Sequence, residues 1–445
     1  MEGIELIIFF TLFTALSCVR LYWALVVIVF LLPLYIIRFS LGSIPSSLLE
    51  GMILIVTGVW LIQKRKELFF DIKEGIRHHH IAILETRIFR AAILFLIAAS
   101  VSTIISSDIR AALGALRAYF FEPVLFFLIF ISLVKTPKKL TPIIVASILS
   151  GLSIALLAVY QKITGWNIPE IWMAERRVTS LFPYPNAVGL YLAPIIPLLC
   201  GWYAYYSSKT QGWKKKGIWF VSSIIFFVFG SAIFFAKTEA ALLVVTISLF
   251  GWALFFNKKT RQRALQGIAL CIFVIVISQP LQGFLKEKIF LQDWSGYVRR
   301  TVWTESIPML KDHPITGAGL SGYKHMFTPY HTKKFIEVFL YPHNIILNFW
   351  TETGLYGLIA FLLLWITSVM MLVQTLKNVW THHDDTATFL NVCAQSVLVS
   401  YSIIVIHGLV DVPYFKNDLS VFFWMLIAIS FVLYTLSKSY EKKLS

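Results

Sequence analysis

Residues 345–374 read IILNFWTETGLYGLIAFLLLWITSVMMLVQ, a run in which Glu352 is the one charged side chain. A helix needs about 20 apolar residues to cross roughly 30 Å of hydrocarbon. This run is longer than that, so it predicts a membrane span. Comparable runs fall at 4–18, 21–39, 46–63, 90–106, 119–134, 139–161, 183–206, 217–236, 238–256, 264–280, 388–409 and 419–436. The expected fold is therefore an all-α integral membrane protein, a bundle of twelve or thirteen transmembrane helices. Only Cys18-Val19-Arg20 separates the first two runs, which are either two spans or one long or re-entrant element.

Composition points the same way. The chain is 58% hydrophobic and 14% charged, with a mean hydropathy of +0.76, and no water-soluble fold hides that much apolar surface. The net charge of +16 sits in short basic clusters between spans, which reads as orientation and argues against a nucleic-acid partner. Those clusters are Lys64–Arg90, Lys135–Lys139, Lys209–Lys216, Asn257–Arg263 and the tail after Ser437, and the positive-inside rule predicts them cytoplasmic. Segments 106–118, 163–182, 281–344 and 410–418 are then expected to face outward. The first apolar run is followed at once by a second, so it reads as a retained span rather than a cleaved signal.

The expected divisions are N-terminal spans at 1–168, central spans at 169–280, an extracytoplasmic loop at 281–344 and C-terminal spans at 345–445. The loop is expected to be partly helical, with Val298, Val302, Ile307 and Leu310 forming its apolar stripe. No internal repeat is visible, which weakens an inverted-repeat transporter reading. Cys18, Cys200, Cys271 and Cys393 lie in apolar segments without metal-ligand spacing and are read as packing residues.

Chemistry-bearing side chains gather on the outward segments. His343-Asn344 opens the 345–374 span, where a histidine meets both lipid-borne and water-borne substrates. Asn344, Asn348 and Thr351 or Glu352 follow at helical spacing, a polar stripe that needs partners inside the bundle. Gly354 and Gly357 are read as small residues that let another helix approach. Arg110, Arg117, Arg176, Arg177, Arg299 and Arg300 supply guanidinium suited to bidentate binding of a diphosphate. Asp411 begins a polar run, Asp411 to Asp418, which is either an acceptor-side lining or a capped turn. His78-His79-His80 lacks acidic or cysteine partners and is read as solvated; no metal and no cofactor are expected.

The stretch HNIILNFWTETGLYG at His343–Gly357 resembles the signature of O-antigen ligases and polymerases: His-Asn, nine residues, Gly, two residues and a small residue. Upstream, Arg299-Arg300-Thr-Val-Trp303 and Asp312-His-Pro314-Ile-Thr-Gly317-Ala-Gly319 are similar to the stretch that precedes that histidine in the family. Arg177, followed by Pro185-Asn186 at the start of a span, looks like its arginine and Pro-Asn motif. Many relatives have Ser-Arg-Gly at a further helix end, whereas this chain has Lys237-Thr238-Glu239-Ala240. Lys237 or Arg177 is then expected to supply the second phosphate-binding charge.

The resemblance implies transfer of a polyprenyl-diphosphate-linked glycan to a hydroxyl of a glycolipid, glycan or protein acceptor at the outer face of the cytoplasmic membrane. It casts His343 and Arg299 as catalytic. Arg177, Lys237, Arg300, Asn186, Asn344, Glu352 and Asp411 are cast as substrate-binding. A repeat-unit polymerase shares these residues, and a non-enzymatic lipid or saccharide transporter is the remaining alternative.

Overall fold

The structure, a computed structural model, describes residues 3–77, 83–256 and 258–444; the His78–His80 tract lies outside them. The fold is an all-α bundle. Its helices are α1 (Gly3–Phe30), α2 (Leu48–Arg77), α3 (Ile83–Ile104), α4 (Ile109–Leu133), α5 (Pro137–Thr164), α6 (Asn186–Lys209), α7 (Gly212–Phe235), α8 (Glu239–Phe256), α9 (Lys258–Ile277), α10 (Gln279–Ile289), α11 (Trp294–Asp312), α12 (Ile345–Val379), α13 (Asp385–Gly408) and α14 (Asn417–Leu444). Among the described residues ten are long and apolar enough to cross a membrane, and two shorter apolar helices, Leu48–Gln63 and Glu239–Leu254, accompany them.

The N-terminus resolves the ambiguity around Arg20. Both apolar runs join one helix, α1, which is kinked at Arg20 (φ −143°, ψ 62°) and stops at Phe30. The run 21–39 is therefore not a span of its own. It ends in a 3₁₀ turn and a short hairpin that the sequence reading did not include, β1 (Arg38–Leu41) paired antiparallel with β2 (Ile44–Ser47). Gly42 turns the hairpin at φ 62°, a conformation that costs glycine little. Arg110 and Arg117 hold this hairpin: Arg110 Nη2 donates to the Ser43 carbonyl at 3.3 Å, and Arg117 Nη2 to the Pro45 carbonyl at 2.8 Å and to Glu50 at 2.7 Å.

Helix α14 is the axis of the bundle. Leu419 to Ile429 are buried without a break, Trp424 completely, as expected of a helix that is apolar all round. Helix α12 packs most extensively on α3, then on α14 and α13. The membrane-spanning part of α9, by contrast, is only 6% buried and sits at the edge.

Segment 281–344 folds around its own small core of Val302, Met309, Leu310, Ala318, Tyr323 and Phe327. The expected stripe is corrected at one position: Ile307 is 47% exposed, because at 100° per residue Met309, not Ile307, falls beneath Val302. A clasp closes the segment. Glu305 accepts from the Thr332 amide at 3.0 Å, the Thr332 hydroxyl at 2.5 Å and the Lys333 amide at 3.3 Å, and faces His331 Nδ1 at 2.7 Å. Burial raises the Glu305 pKa, but the hydrogen bonds from Thr332 and His331 outweigh it and leave the carboxyl below its usual range. A carboxylate lowered in the folded state stabilises above its ordinary pKa and loses that contribution as pH falls. Glu305→Gln should therefore destabilise this segment by about 1–3 kcal/mol at neutral pH. Limited proteolysis between residues 324 and 340 should be several-fold faster in the variant, with the difference from wild type shrinking at pH 4; equal cleavage at pH 7 would remove the clasp.

The Pro314–Gly322 stretch then enters the bundle. Helix α12 breaks at Gly354 (φ 67°, ψ −177°), about 14 Å along from its start at 1.5 Å per residue. Loop backbone fills the break. Ala318 N–H donates to the Thr351 carbonyl at 2.6 Å, Leu355 N–H to the Ile315 carbonyl at 3.1 Å, and Trp350 Nε1 to the Pro314 carbonyl at 2.7 Å. On the other side, Leu320 N–H donates to the Ser102 carbonyl at 3.1 Å, and Ser106 Oγ to the Leu320 carbonyl at 2.7 Å. The glycine reading is corrected here: Gly354 admits a loop, not a neighbouring helix.

Candidate functional site

Three consecutive residues of the loop between α13 and α14 gather the site. The Leu409 carbonyl accepts from Asn344 Nδ2 at 3.0 Å, the Val410 carbonyl from Arg299 Nε at 2.8 Å, and Asp411 Oδ2 from Asn186 Nδ2 at 3.3 Å. Each donor lies on a different element, at the start of α12, in the first turns of α11 and at the start of α6.

The dipeptide His343-Asn344 explains its own geometry. Asn344 caps α12, its Oδ1 accepting from the Ile346 and Leu347 amides at 3.0 Å each, a role that short polar side chains fill well. His343, one residue earlier, has a left-handed backbone at φ 52°. Phe339 and Tyr341 meet its ring edge-on, at 5.0 and 4.7 Å between centroids. Trp303 Nε1 donates to the Pro342 carbonyl at 2.8 Å, tying α11 to the same turn.

His343 Nδ1 is buried without a hydrogen bond and lies 3.9 Å from Asp411 Oδ1. That separation is too long for a hydrogen bond, so the ring and the carboxylate face each other without one. Burial opposes the Asp411 carboxylate, but the neighbouring His343, His407 and the Val412 amide prevail and hold its pKa at about 2. Asp411 is thus an anion at any physiological pH. The chain continues through Asn186, whose Oδ1 accepts from Arg177 Nη2 at 2.8 Å. Arg177 also donates through Nε to the Ala236 carbonyl at 2.8 Å and lies over the Trp172 ring, 5.0 Å from its centroid.

Arg177, Asn186, Asp411 and His343 therefore form one continuous polar chain, with Arg299 and Asn344 attached to its loop. Other expected residues sit apart from it, Arg110 on the hairpin among them. Lys237 is bound to Glu175 at 2.7 Å, so Arg177 and not the Lys237 ammonium joins the chain. Arg300 is exposed. Glu352 is buried, and its carboxylate accepts the Ser321 amide at 2.5 Å, so the side chain holds the inserted loop. Arg117 is committed to the hairpin. Tyr341 and Tyr184, which the sequence reading did not single out, line the cluster; their placement directly before Pro342 and Pro185, next to His343 and Asn186, was the available signal. Among the described residues no group of three or more His, Cys, Asp or Glu side chains is placed to hold a metal ion.

Residues 224–362 match the family model Wzy_C, O-antigen ligase. That stretch contains Lys237, Arg299, Arg300, His343, Asn344 and Glu352, and leaves Arg177, Asn186 and Asp411 outside. No curated protein matches the chain at a significant level.

Proposed function

We propose that this chain transfers a polyprenyl-diphosphate-linked glycan to an acceptor hydroxyl at the outward face of the cytoplasmic membrane, a reading supported by the match of residues 224–362 to the O-antigen ligase family model. The observation that carries this reading is the chain from Arg177 through Asn186 and Asp411 to His343. It joins an anion-binding guanidinium to a carboxylate-backed imidazole at one end of the bundle. The basic ends, such as Lys209 closing α6 and Lys214–Lys216 opening α7, lie at the other ends of these helices, which supports an outward site by the positive-inside rule.

In the proposed step the acceptor oxygen forms a bond to the anomeric carbon while the bond from that carbon to the phosphate oxygen breaks. His343 Nε2, which makes no hydrogen bond within the described residues, takes the hydroxyl proton. Asp411 favours the tautomer with the proton on Nδ1 and stabilises the imidazolium that forms. The polyprenyl diphosphate leaves with the bonding electron pair, and Arg299 and Arg177 offset its charge, the preorganised electrostatic contribution that dominates such steps.

Arg299→Lys should lower transfer by about 10- to 100-fold, because an ammonium cannot donate to the Val410 carbonyl and a phosphate in one plane. Rates measured on membranes with equal protein content check this; a normal rate would remove Arg299 from the phosphate site. The test of the function itself is a gene deletion, complemented or not, with lipid-linked and surface glycans compared. Long lipid-linked polymer accumulating in the deletion supports the ligase, single repeat units mean a polymerase, and unchanged glycans overturn both.

A further inference from the structure

Lysines around the site are mostly occupied by carboxylates. Lys237 binds Glu175 at 2.7 Å, and Lys288 binds Glu239 at 2.6 Å and Asp293 at 2.8 Å. Lys416 differs. Its ammonium stands over three aromatic rings, 4.6 Å from the centroid of Tyr184, 4.9 Å from Phe182 and 5.8 Å from Tyr35. Among the described residues no carboxylate oxygen lies within 4.0 Å of it and no acceptor takes its hydrogens. Asp411 and Asp418 act on it only through space.

An ammonium partly withdrawn from water is costly unless it is paired, and ring faces replace only part of its hydration. The same cost lowers the Lys416 pKa, burial being the largest cause. The three donors are therefore held ready for an anion that arrives from elsewhere. The position is connected to the site. Tyr184 directly precedes Pro185-Asn186, Tyr184 and Tyr341 lie within mutual hydrogen-bonding reach, and Tyr341 packs on His343. Lys416 itself follows Asp411 by five residues in the loop that collects Arg299 and Asn186.

We propose that Lys416 binds a phosphate of the lipid-linked donor, and is the cation that supplements Arg177 and Arg299 where Lys237 and Lys288 are already paired. The proposal rests on the donor reading above. It makes Lys416 a substrate-binding residue whose ammonium stands over an aromatic cage and has hydrogens left for the phosphate oxygens.

The test uses the full-length protein in detergent, with undecaprenyl diphosphate as probe and undecaprenyl monophosphate and inorganic pyrophosphate as comparators. Wild type should bind the diphosphate lipid. Lys416→Met should weaken that binding by about tenfold or more, the loss of a charge-assisted hydrogen bond, and Lys416→Arg should stay within about threefold. Melting without the probe separates binding from folding. Should Lys416→Met fail to purify, Lys416→Gln carries the same comparison. Unchanged binding in the methionine variant, alongside loss in Arg299→Ala, overturns the role of Lys416 and leaves the donor reading intact. A loss in Lys416→Arg equal to that in Lys416→Met assigns the lysine to packing and overturns it too. No binding by wild type removes the donor reading and this inference with it.

Discussion

Replacing His343 with alanine should lower glycan transfer by about 10²–10⁴-fold, the usual contribution of a positioned general base, while the protein stays in the membrane at its normal level. The level should hold because the helix start does not depend on the imidazole. Asn344 caps α12 and Trp303 holds the Pro342 carbonyl, and neither contact involves the His343 side chain. The rate should fall because the other members of the chain, Asp411 and the arginines, cannot serve, and the second imidazole near Asp411, His407, is buried. Asp411 is held at about 2, so its carboxylate is too weak a base at neutral pH, and Arg177 and Arg299 remain protonated. The two variants to compare are His343→Ala and His343→Gln, assayed for surface glycan per unit of membrane protein. A near-normal amount from either would show that the imidazole takes no proton and would revive the non-enzymatic reading.

Gly354→Val should cost the folded protein outright. Gly354 sits at φ 67°, and a Cβ built there would lie 2.1 Å from the Ile315 carbonyl oxygen. A β-branched residue in the left-handed region is a true outlier; the conformation alone costs roughly 1–2 kcal/mol. The overlap adds more, since the atom in the way is backbone that is itself bonded to Leu355. Relief requires expelling the 314–318 loop, which would leave the Thr351 carbonyl unpaired inside the bundle and release the chain that leads to His343. The sum exceeds about 4 kcal/mol, in the range reserved for a few severe mechanisms. Membrane levels of the variant should drop several-fold, and what remains should be cleaved readily between 313 and 322. A normal level with normal melting would mean that α12 runs straight in the working protein.

The spans were legible because a membrane helix advertises itself by uninterrupted apolar length, which a sequence displays directly. What escaped was set by contacts between distant segments. The Gly354 break is stabilised by residues 314–318, and nothing local to GLYG distinguishes a glycine that receives a loop from one that receives a helix. The Glu352 contact escaped for a related reason: an acid on an inward stripe reads the same whether it meets a substrate or the Ser321 amide. The hairpin at 38–47 escaped because four-residue strands held by arginines 67 to 72 positions away leave no period to find. Arg177, Asn186, Arg299, His343, Asn344 and Asp411 stood out as polar side chains at the ends of apolar runs, and the structure brings these six together. Lys416 lay inside the quoted polar run but gave no sign of its aromatic cage, which is built from Tyr35, Phe182 and Tyr184.

The gathering of Asn344, Arg299 and Asn186 by Leu409, Val410 and Asp411 also sets an order of events. During synthesis the arginines and the histidine are made before residues 409–411 exist, and until then only local ties, Trp303 to the Pro342 carbonyl and Arg177 to Asn186, hold parts of the cluster together. The arrangement can form only after α13 and the loop that follows it have been made. The gathering of Arg299, Asn186 and Asn344 is thus incomplete in a nascent chain until residues 409–411 have been made.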